Sequence, residues 1–501
     1  MIFEDITHIK NKEEFKEKIL IYIRLVEVIA KREDISIPDI SIPTTEMISE
    51  MKDMGVIYSD TDIKVLNRIV GENYKRFLSS LSFYISHREL YGTLLDKLNN
   101  KKRKELQKKE NLSNKPKMVD FFAGAGGLSC GFTQAGFKVC FANDFEDVCV
   151  RTYRYNHPEL PSQKVLKEDI RKIVNDIDKY VNEEVDIVVG GPPCQSFSSA
   201  NQRRIIDDPR NELYKYFIEA VKKLCPKYVV MENVRGMLTV ADQVIEDYKA
   251  IKIKKGGKIF TYDVACRLLN SMNFGVAQSR ERLIYIAIRN DIAYSKHVTP
   301  EILFQEIENS CNKNSIVNLS SALEYIKPLD APRIKGQTEL DDVKTGMKIG
   351  LNTFNSCGNS YLTCINQGRD IPYVFNHKAR YCSDVNLEIF RRLEQGEDAT
   401  NPKIADIMPY SRRNGIFKDK YFKLYADRPC RTITAHLKMD CLSHIHPFQI
   451  RSITPREAAR VQSFPDDYLF LGAYLKTYMQ IGNAVPVLMA KQIAEIIKLY
   501  I

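Results

Sequence analysis

The chain has 501 residues, 44% hydrophobic and 28% charged, which excludes a disordered protein and leaves room for two or three domains. Lysine and arginine outnumber aspartate and glutamate by 74 to 64, and the net charge of +10 favours an anionic partner. The 12 cysteines form no Cys-x-x-Cys pair, which argues against a zinc site or a disulfide framework and for a reducing compartment. With no signal-peptide pattern in Met1-Ile-Phe-Glu-Asp-Ile and no apolar stretch long enough to span a bilayer, a cytoplasmic protein without a metal or a membrane partner is expected.

Residues 1–117 read as a helical extension and linker. Lys12 to Ala30 carries Phe15, Ile19, Ile23, Leu25 and Val26 near helical spacing. Two further helices are expected over Thr44–Glu50 and Ser59–Val70, with Thr44 and Ser59 as N-caps. A long helix is expected over Glu72–Leu98. The run Lys101-Lys102-Arg103-Lys104 suits a solvated helix face better than a nucleic-acid contact.

A second domain begins at Met118-Val119-Asp120-Phe121-Phe122-Ala123-Gly124-Ala125-Gly126-Gly127-Leu128. An apolar strand runs into a glycine-rich turn and a helix, a setting in which backbone N–H groups approach a cofactor. The next strand ends in Asp144-Phe145, where the acid is placed to accept ribose hydroxyls and the ring to stack on adenine; an N-cap and a core Phe are the plainer alternatives. A further acidic turn follows at Glu168-Asp169-Ile170. The glycine turn alone would also suit a nicotinamide dehydrogenase.

Asp186-Ile-Val-Val-Gly-Gly-Pro-Pro-Cys194-Gln reads as a buried strand that breaks at two glycines and two prolines, delivering Cys194 at a strand's carboxyl end on a stiffened turn. A thiol held there can act as a nucleophile once deprotonated. The strand Lys227–Met231 ends in Glu232-Asn233-Val234, which puts an acid able to donate a proton or hydrogen bond at the same crevice. Phe260–Met272 reads as a helix. Gln278, Arg280 and Arg282 alternate at the start of the following strand, and two cations on one face can lower a thiol's pKa or hold a carbonyl.

Residues 291–450 hold short, irregular hydrophobic runs and read as a separate loop-rich lobe, with Arg412, Arg413, Asn414, Lys418, Lys420 and Arg431 as candidate base or phosphate contacts. After it, Thr454-Pro455-Arg456-Glu457 has an N-cap, a proline at the first helical position and a glutamate three after the cap. Gln480-Ile-Gly-Asn483-Ala-Val485-Pro486 then leads into an amphipathic helix.

The Pro-Pro-Cys-Gln run resembles the catalytic loop of the DNA (cytosine-5)-methyltransferases, and the other motifs from Met118 to Tyr500 follow in that family's order. The resemblance implies an α/β, Rossmann-like S-adenosylmethionine-dependent domain over 118–290 and 451–501, with 291–450 as the target-recognition region. It implies Cys194, Glu232, Arg280 and Arg282 as catalytic residues. Phe122, Gly124, Gly126, Gly127, Asp144, Phe145, Asp169, Ile170, Pro192, Asn483 and Val485 would form the cofactor pocket. Cys194 would add to C6 of a cytosine flipped out of double-stranded DNA. A cognate restriction endonuclease is a partner that such an enzyme admits. The tRNA-modifying branch of the family is an alternative, but its Cys-Phe-Thr signature has no match at Cys357-Gly358 or Cys364-Ile365. A catalytically silent DNA-binding member is the other alternative, against which the intact Cys194, Glu232, Gln278, Arg280 and Arg282 stand.

Overall fold

The fold was analysed in a computed structural model, which describes Phe3 and residues 12–193, 213–311, 316–336, 338, 340–352, 358–409 and 420–501. Its centre is a seven-stranded sheet. The strands are β1 (Lys117–Phe121), β2 (Lys138–Asp144), β3 (Val165–Lys167), β4 (Ile187–Gly190) and β5 (Tyr228–Val234), then, after a small hairpin of β6 (Ile253–Lys255) and β7 (Lys258–Phe260), β8 (Tyr262–Asn270) and β9 (Glu281–Arg289). The order across the sheet is β3-β2-β1-β4-β5-β9-β8. The first five are parallel, and β9 runs antiparallel to both β5 and β8. The chain leaves β1 toward β2 on one side and β4 lies on the other, so the crevice above the carboxyl ends of β1 and β4 is the switch point where open sheets bind ligands.

Alternation along the strands builds two cores. Met118, Ile187, Val189, Tyr228 and Val230 face the helices Gly127–Gln134, Pro300–Ser310 and Val487–Lys498. Val119, Phe121, Val188, Val229 and Met231 face Ile170–Asn175, Leu213–Leu224 and Ala241–Lys249. A strand buried on both faces loses its two-residue alternation. This is why 260–272, expected as a helix, is instead mostly β8: Ala265 and Leu269 enter one core while Tyr262 and Val264 enter the other.

The hydrophobic core does not break at residue 291. Val298, Leu303, Phe304, Ile307, Leu319 and Ala322 join the sheet's own core, as do Tyr361 and Leu362. A separate small core forms around Leu387, Phe390, Leu393, Ile404, Tyr421 and Ile445, in the lobe beyond residue 331. The chain enters that lobe from an antiparallel pair, β10 (Gly346–Leu351) and β11 (Tyr373–Lys378).

The N-terminal region is helical at Lys12–Arg32, Thr45–Met54, Ile63–Val70, Tyr74–Ser86 and Asn100–Asn111. Thr44 caps its helix by accepting from the Met47 N–H, and Ser59 and Asp62 form a capping box. The helix expected over 72–98 is broken: it stops at His87, where φ is −137°, and short 3-10 turns follow. In the basic run, Lys101 pairs with Asp53 and Lys102 with Glu105. Arg103, expected on a solvated face, is instead buried and donates to the carbonyls of Lys97 and Arg154. Among the described residues no helix is long and apolar enough to cross a membrane.

Candidate active site

The turn after β1 is held open by backbone geometry. Phe122, Gly124 and Gly126 have φ of 54°, 56° and 92°, a region glycine enters freely and phenylalanine rarely does. A Cβ on Gly127 would sit 2.5 Å from the Val485 carbonyl oxygen, and one on Gly126 would sit 2.6 Å from the Tyr468 hydroxyl. The segment around Val485 therefore packs directly on the glycine turn. Val485 is buried in that seam, while the Asn483 side chain is exposed at its rim.

Across the crevice, β2 delivers Asp144. Its Oδ2 accepts the Gly124 N–H and its Oδ1 accepts the Glu146 N–H, both at 2.8 Å, which ties the ends of β1 and β2 into one ledge. Burial pushes this carboxyl up to about 6, against those N–H bonds. The adjacent Phe145 ring is 69% exposed, an unusual setting for a phenylalanine in an otherwise packed rim. Asp169 lies at the end of β3 and caps the next helix; its carboxylate is held by the Arg171 guanidinium, and Ile170 is buried. Beneath the ledge, Asp120 is wholly buried. Its Oδ2 accepts from the Ser129 hydroxyl at 2.6 Å, its Oδ1 has no hydrogen-bond partner among the described residues, and burial pushes it up to about 7.

The other half of the rim is made by β4, β5 and β9. Parallel pairing of Gly190 with Phe121 and with Met231 places Gly191 and Pro192 between the glycine turn and Glu232. A Cβ on Gly191 would lie 2.9 Å from Glu232 Oε2. Asn233 Nδ2 donates to the Pro192 carbonyl at 3.0 Å and so anchors the chain two residues before Cys194. Cys194 itself, with Arg412, Arg413, Asn414 and Lys418, lies outside the described residues.

Antiparallel register brings the arginine motif to the same rim. Val234 faces Arg282 and Glu232 faces Ile284, so Glu232 and Arg282 are diagonal neighbours on one face. Arg282 Nε lies 2.6 Å from Glu232 Oε1, with the two side chains 13% and 11% exposed. Burial pulls the Arg282 guanidinium below its usual range, with Glu232 opposing. Among the described residues, Arg280 donates to the carbonyls of Ile433 (2.6 Å) and Gly482 (3.0 Å), and the Cys194 thiolate that it is expected to support lies outside them. Gln278 donates to Gln462 at 2.9 Å and accepts the Ile433 N–H at 2.6 Å. These two residues staple three distant segments behind the pocket. Asn233, Ile433 and Gln462 carry no sequence signal for such contacts, beyond the place of Asn233 within the Glu-Asn-Val triplet. Of the described lobe cations, Lys420 lies 3.4 Å from Asp440, and Arg431 stacks over Phe422 with its guanidinium carbon 4.7 Å from the ring centre.

Comparison with known proteins agrees. The family model described as C-5 cytosine-specific DNA methylase matches residues 116–499. The type II methyltransferase M.DdeI of Desulfomicrobium norvegicum is 31% identical over 407 residues, covering 76% of this chain and 88% of that protein. M.AgeI of Thalassovita gelatinovora is 31% identical over 435 residues, covering 77% and 100%. A candidate DNA modification methyltransferase from an E. coli prophage shares the fold, with a TM-score of 0.57 at 23% identity over 76% of this chain and 98% of that one. With the glycine ledge, the Gly191-Pro192 turn and the Glu232–Arg282 pair on one rim, the chain belongs to the C-5 cytosine-specific DNA methylase family and is a DNA cytosine-5 methyltransferase.

Proposed function

We propose that the enzyme methylates C5 of a cytosine flipped out of a specific double-stranded DNA sequence, through a covalent bond from Cys194 to C6. The observation that carries this reading is the buried Glu232–Arg282 pair beside the Gly191-Pro192 turn. The methyl donor is S-adenosylmethionine, and the ledge fits it: Asp144 is positioned for ribose hydroxyls, the exposed Phe145 face for adenine, and the turn from Phe122 to Gly127 for the amino-acid end. Bound there, the donor supplies an electrophilic methyl group. Asp169, Ile170, Pro192, Asn483 and Val485 complete the proposed pocket.

The chain's own residues then do the rest. The Cys194 thiolate adds to C6, and the electron pair of the C5–C6 double bond becomes available at C5. Glu232 hydrogen-bonds N3 and the exocyclic amine, holding the charge that develops on the ring. Arg282 fixes both Glu232 and the ring carbonyl. After methylation the C5 proton leaves to a base or ordered water, the C5–C6 double bond re-forms, and the Cys194 sulfur departs with its electron pair. Arg280 serves as a positioning residue, because its donors go to the Ile433 and Gly482 carbonyls. Target recognition belongs to the lobe within 291–450 and catalysis to 118–290 with 451–501. The type II relatives support a cytoplasmic restriction-modification setting, in which a cognate endonuclease would be a partner.

The test is to incubate the protein with S-adenosylmethionine and unmethylated genomic DNA and map 5-methylcytosine at base resolution. One sharp sequence motif is expected, lost in Cys194→Ala while cofactor binding persists. Methylation of tRNA in place of DNA, or full activity in Cys194→Ala, would overturn the reading.

A further inference from the structure

The family match begins at residue 116, so the helices before it lie outside what the relatives explain. Those helices are not an independent appendage. Their hydrophobic cluster takes in Ile349 of β10, Ile371, and Tyr373 and Phe375 of β11, together with Tyr155, Leu469 and Leu471 from the catalytic side.

Glu17 lies at the junction. Its Oε1 accepts from Lys348 Nζ of β10 at 2.5 Å and from the Gly472 N–H at 3.3 Å, and its Oε2 pairs with Arg151. Arg151 belongs to the helix Asp147–Asn156, which leaves the Asp144-Phe145 ledge. Burial alone would raise the Glu17 carboxyl, yet Lys348 and Arg151 hold it below the usual carboxylate range. Arg24, two turns further along the same helix, donates to the Ile349 carbonyl at 3.2 Å. On the catalytic side, Arg103 donates to the Arg154 carbonyl at 2.9 Å and Gln107 to the Pro158 carbonyl at 3.1 Å. A cleft of about 790 Å³ opens at this junction, lined by Glu17, Arg24, Arg151, Asp341 and Lys348 among others. The charged side of the seam therefore borders this cleft, while the Glu17 and Arg151 side chains themselves stay largely shielded from solvent. β11 is also gripped from behind, where Arg456 Nε donates to the Phe375 carbonyl at 2.6 Å. It is the strand from which the chain runs on into the lobe core at Cys382–Leu393.

We propose that the N-terminal helices are an intramolecular brace that fixes the β10–β11 pair, and the recognition lobe it leads into, to the cofactor-side helix, with Glu17 as the positioning residue of the joint. The brace sets how tightly DNA is held without supplying a DNA contact itself. This rests on the assignment of target recognition to that lobe.

The test uses the full chain. Glu17→Gln is compared with wild type by hydrogen exchange and by steady-state methylation of a DNA carrying the mapped motif, with Lys348→Met, which spares the Arg151 pair, as a second variant. The expected result is faster amide exchange across 346–351 and 373–378, a KM for DNA raised at least fivefold, and kcat and S-adenosylmethionine affinity within twofold of wild type. Lys348→Met should move in the same direction by less. Unchanged exchange in both variants would overturn the brace. Faster exchange with an unchanged KM would overturn its role in DNA binding, as would crosslinking of bound DNA to residues 12–112. Failure of the methyltransferase reading is distinguishable, because the wild-type protein would then not methylate DNA at all.

Discussion

Glu232 on one half of the rim, and Asp144 and Asp120 on the other, are stabilised in opposite ways. On the base-binding half, Glu232 has Arg282 at 2.6 Å. On the half proposed for the cofactor, Asp144 is half-buried and Asp120 buried, with only N–H and O–H donors as partners among the described residues, and burial pushes them up to about 6 and 7. A buried carboxylate without a cation is costly unless something else stabilises its charge. The difference teaches what each half is built to receive. The half with its own arginine is the one proposed to meet the pyrimidine, to which it would present a fixed, neutral-sum edge. On the half proposed for the cofactor, Asp144 and Asp120 have no such cation beside them among the described residues, which suits a methyl donor that brings its own positive charge.

The largest effect that probes this contrast is at Glu232. Glu232→Gln keeps the shape but removes the charge that Arg282 holds, and turnover should fall by roughly 10²–10³-fold, the scale of losing one positioned donor or proton-transfer group. Single-turnover methylation reads it, and a loss smaller than about tenfold would mean that the pair is structural.

A smaller effect is expected at Asp144. In the proposed pocket its ionised carboxylate accepts both ribose hydroxyls, so cofactor affinity in wild type should weaken as pH drops through about 6, approaching tenfold per unit below that value. Asp144→Asn should bind roughly tenfold more weakly at pH 7.5 and show a flat profile. Calorimetric titration from pH 5 to 8 distinguishes these, and a flat wild-type profile would remove Asp144 from the pocket.

The smallest concerns Asp120 and stability alone. Its folded pKa is raised from 3.8 to about 7, so the stabilisation that comes with its proton is complete below about 4 and lost as pH rises through 7. Asp120→Asn should therefore raise stability at pH 8 by roughly 1–2 kcal/mol, with the gain shrinking as pH falls and vanishing below about pH 4. Thermal melts at the two pH values check it. A variant destabilised at both would mean that the carboxylate's bond to Ser129 outweighs its burial.

Much of the site was legible because its parts are local. The glycine turn, the Asp144-Phe145 ledge and the Thr454–Glu457 capping box each depend on residues a few positions apart, and the box forms as the spacing predicts, with Thr454 N–H donating to Glu457 at 2.7 Å. The motifs' order then carried the family resemblance. The N-terminal helices were legible as elements, but not the break at His87 or the burial of Arg103, because both depend on what packs against them.

What the sequence by itself determined is the set of elements and the residue types presented at their ends, since propensity, capping and strand-to-turn breaks act over a single turn or strand. What tertiary structure decided is which of those residues meet. Glu232 and Arg282 are joined by an antiparallel register between β5 and β9. Arg280, two residues from Arg282, is turned instead toward carbonyls contributed by segments around 433 and 482. β8 is a strand because cores form on both of its faces, and Glu17 is a joint because β10 and the segment at Gly472 arrive beside it. Partners hundreds of residues apart leave no periodic trace in a sequence, because only packing brings them within a hydrogen bond of each other.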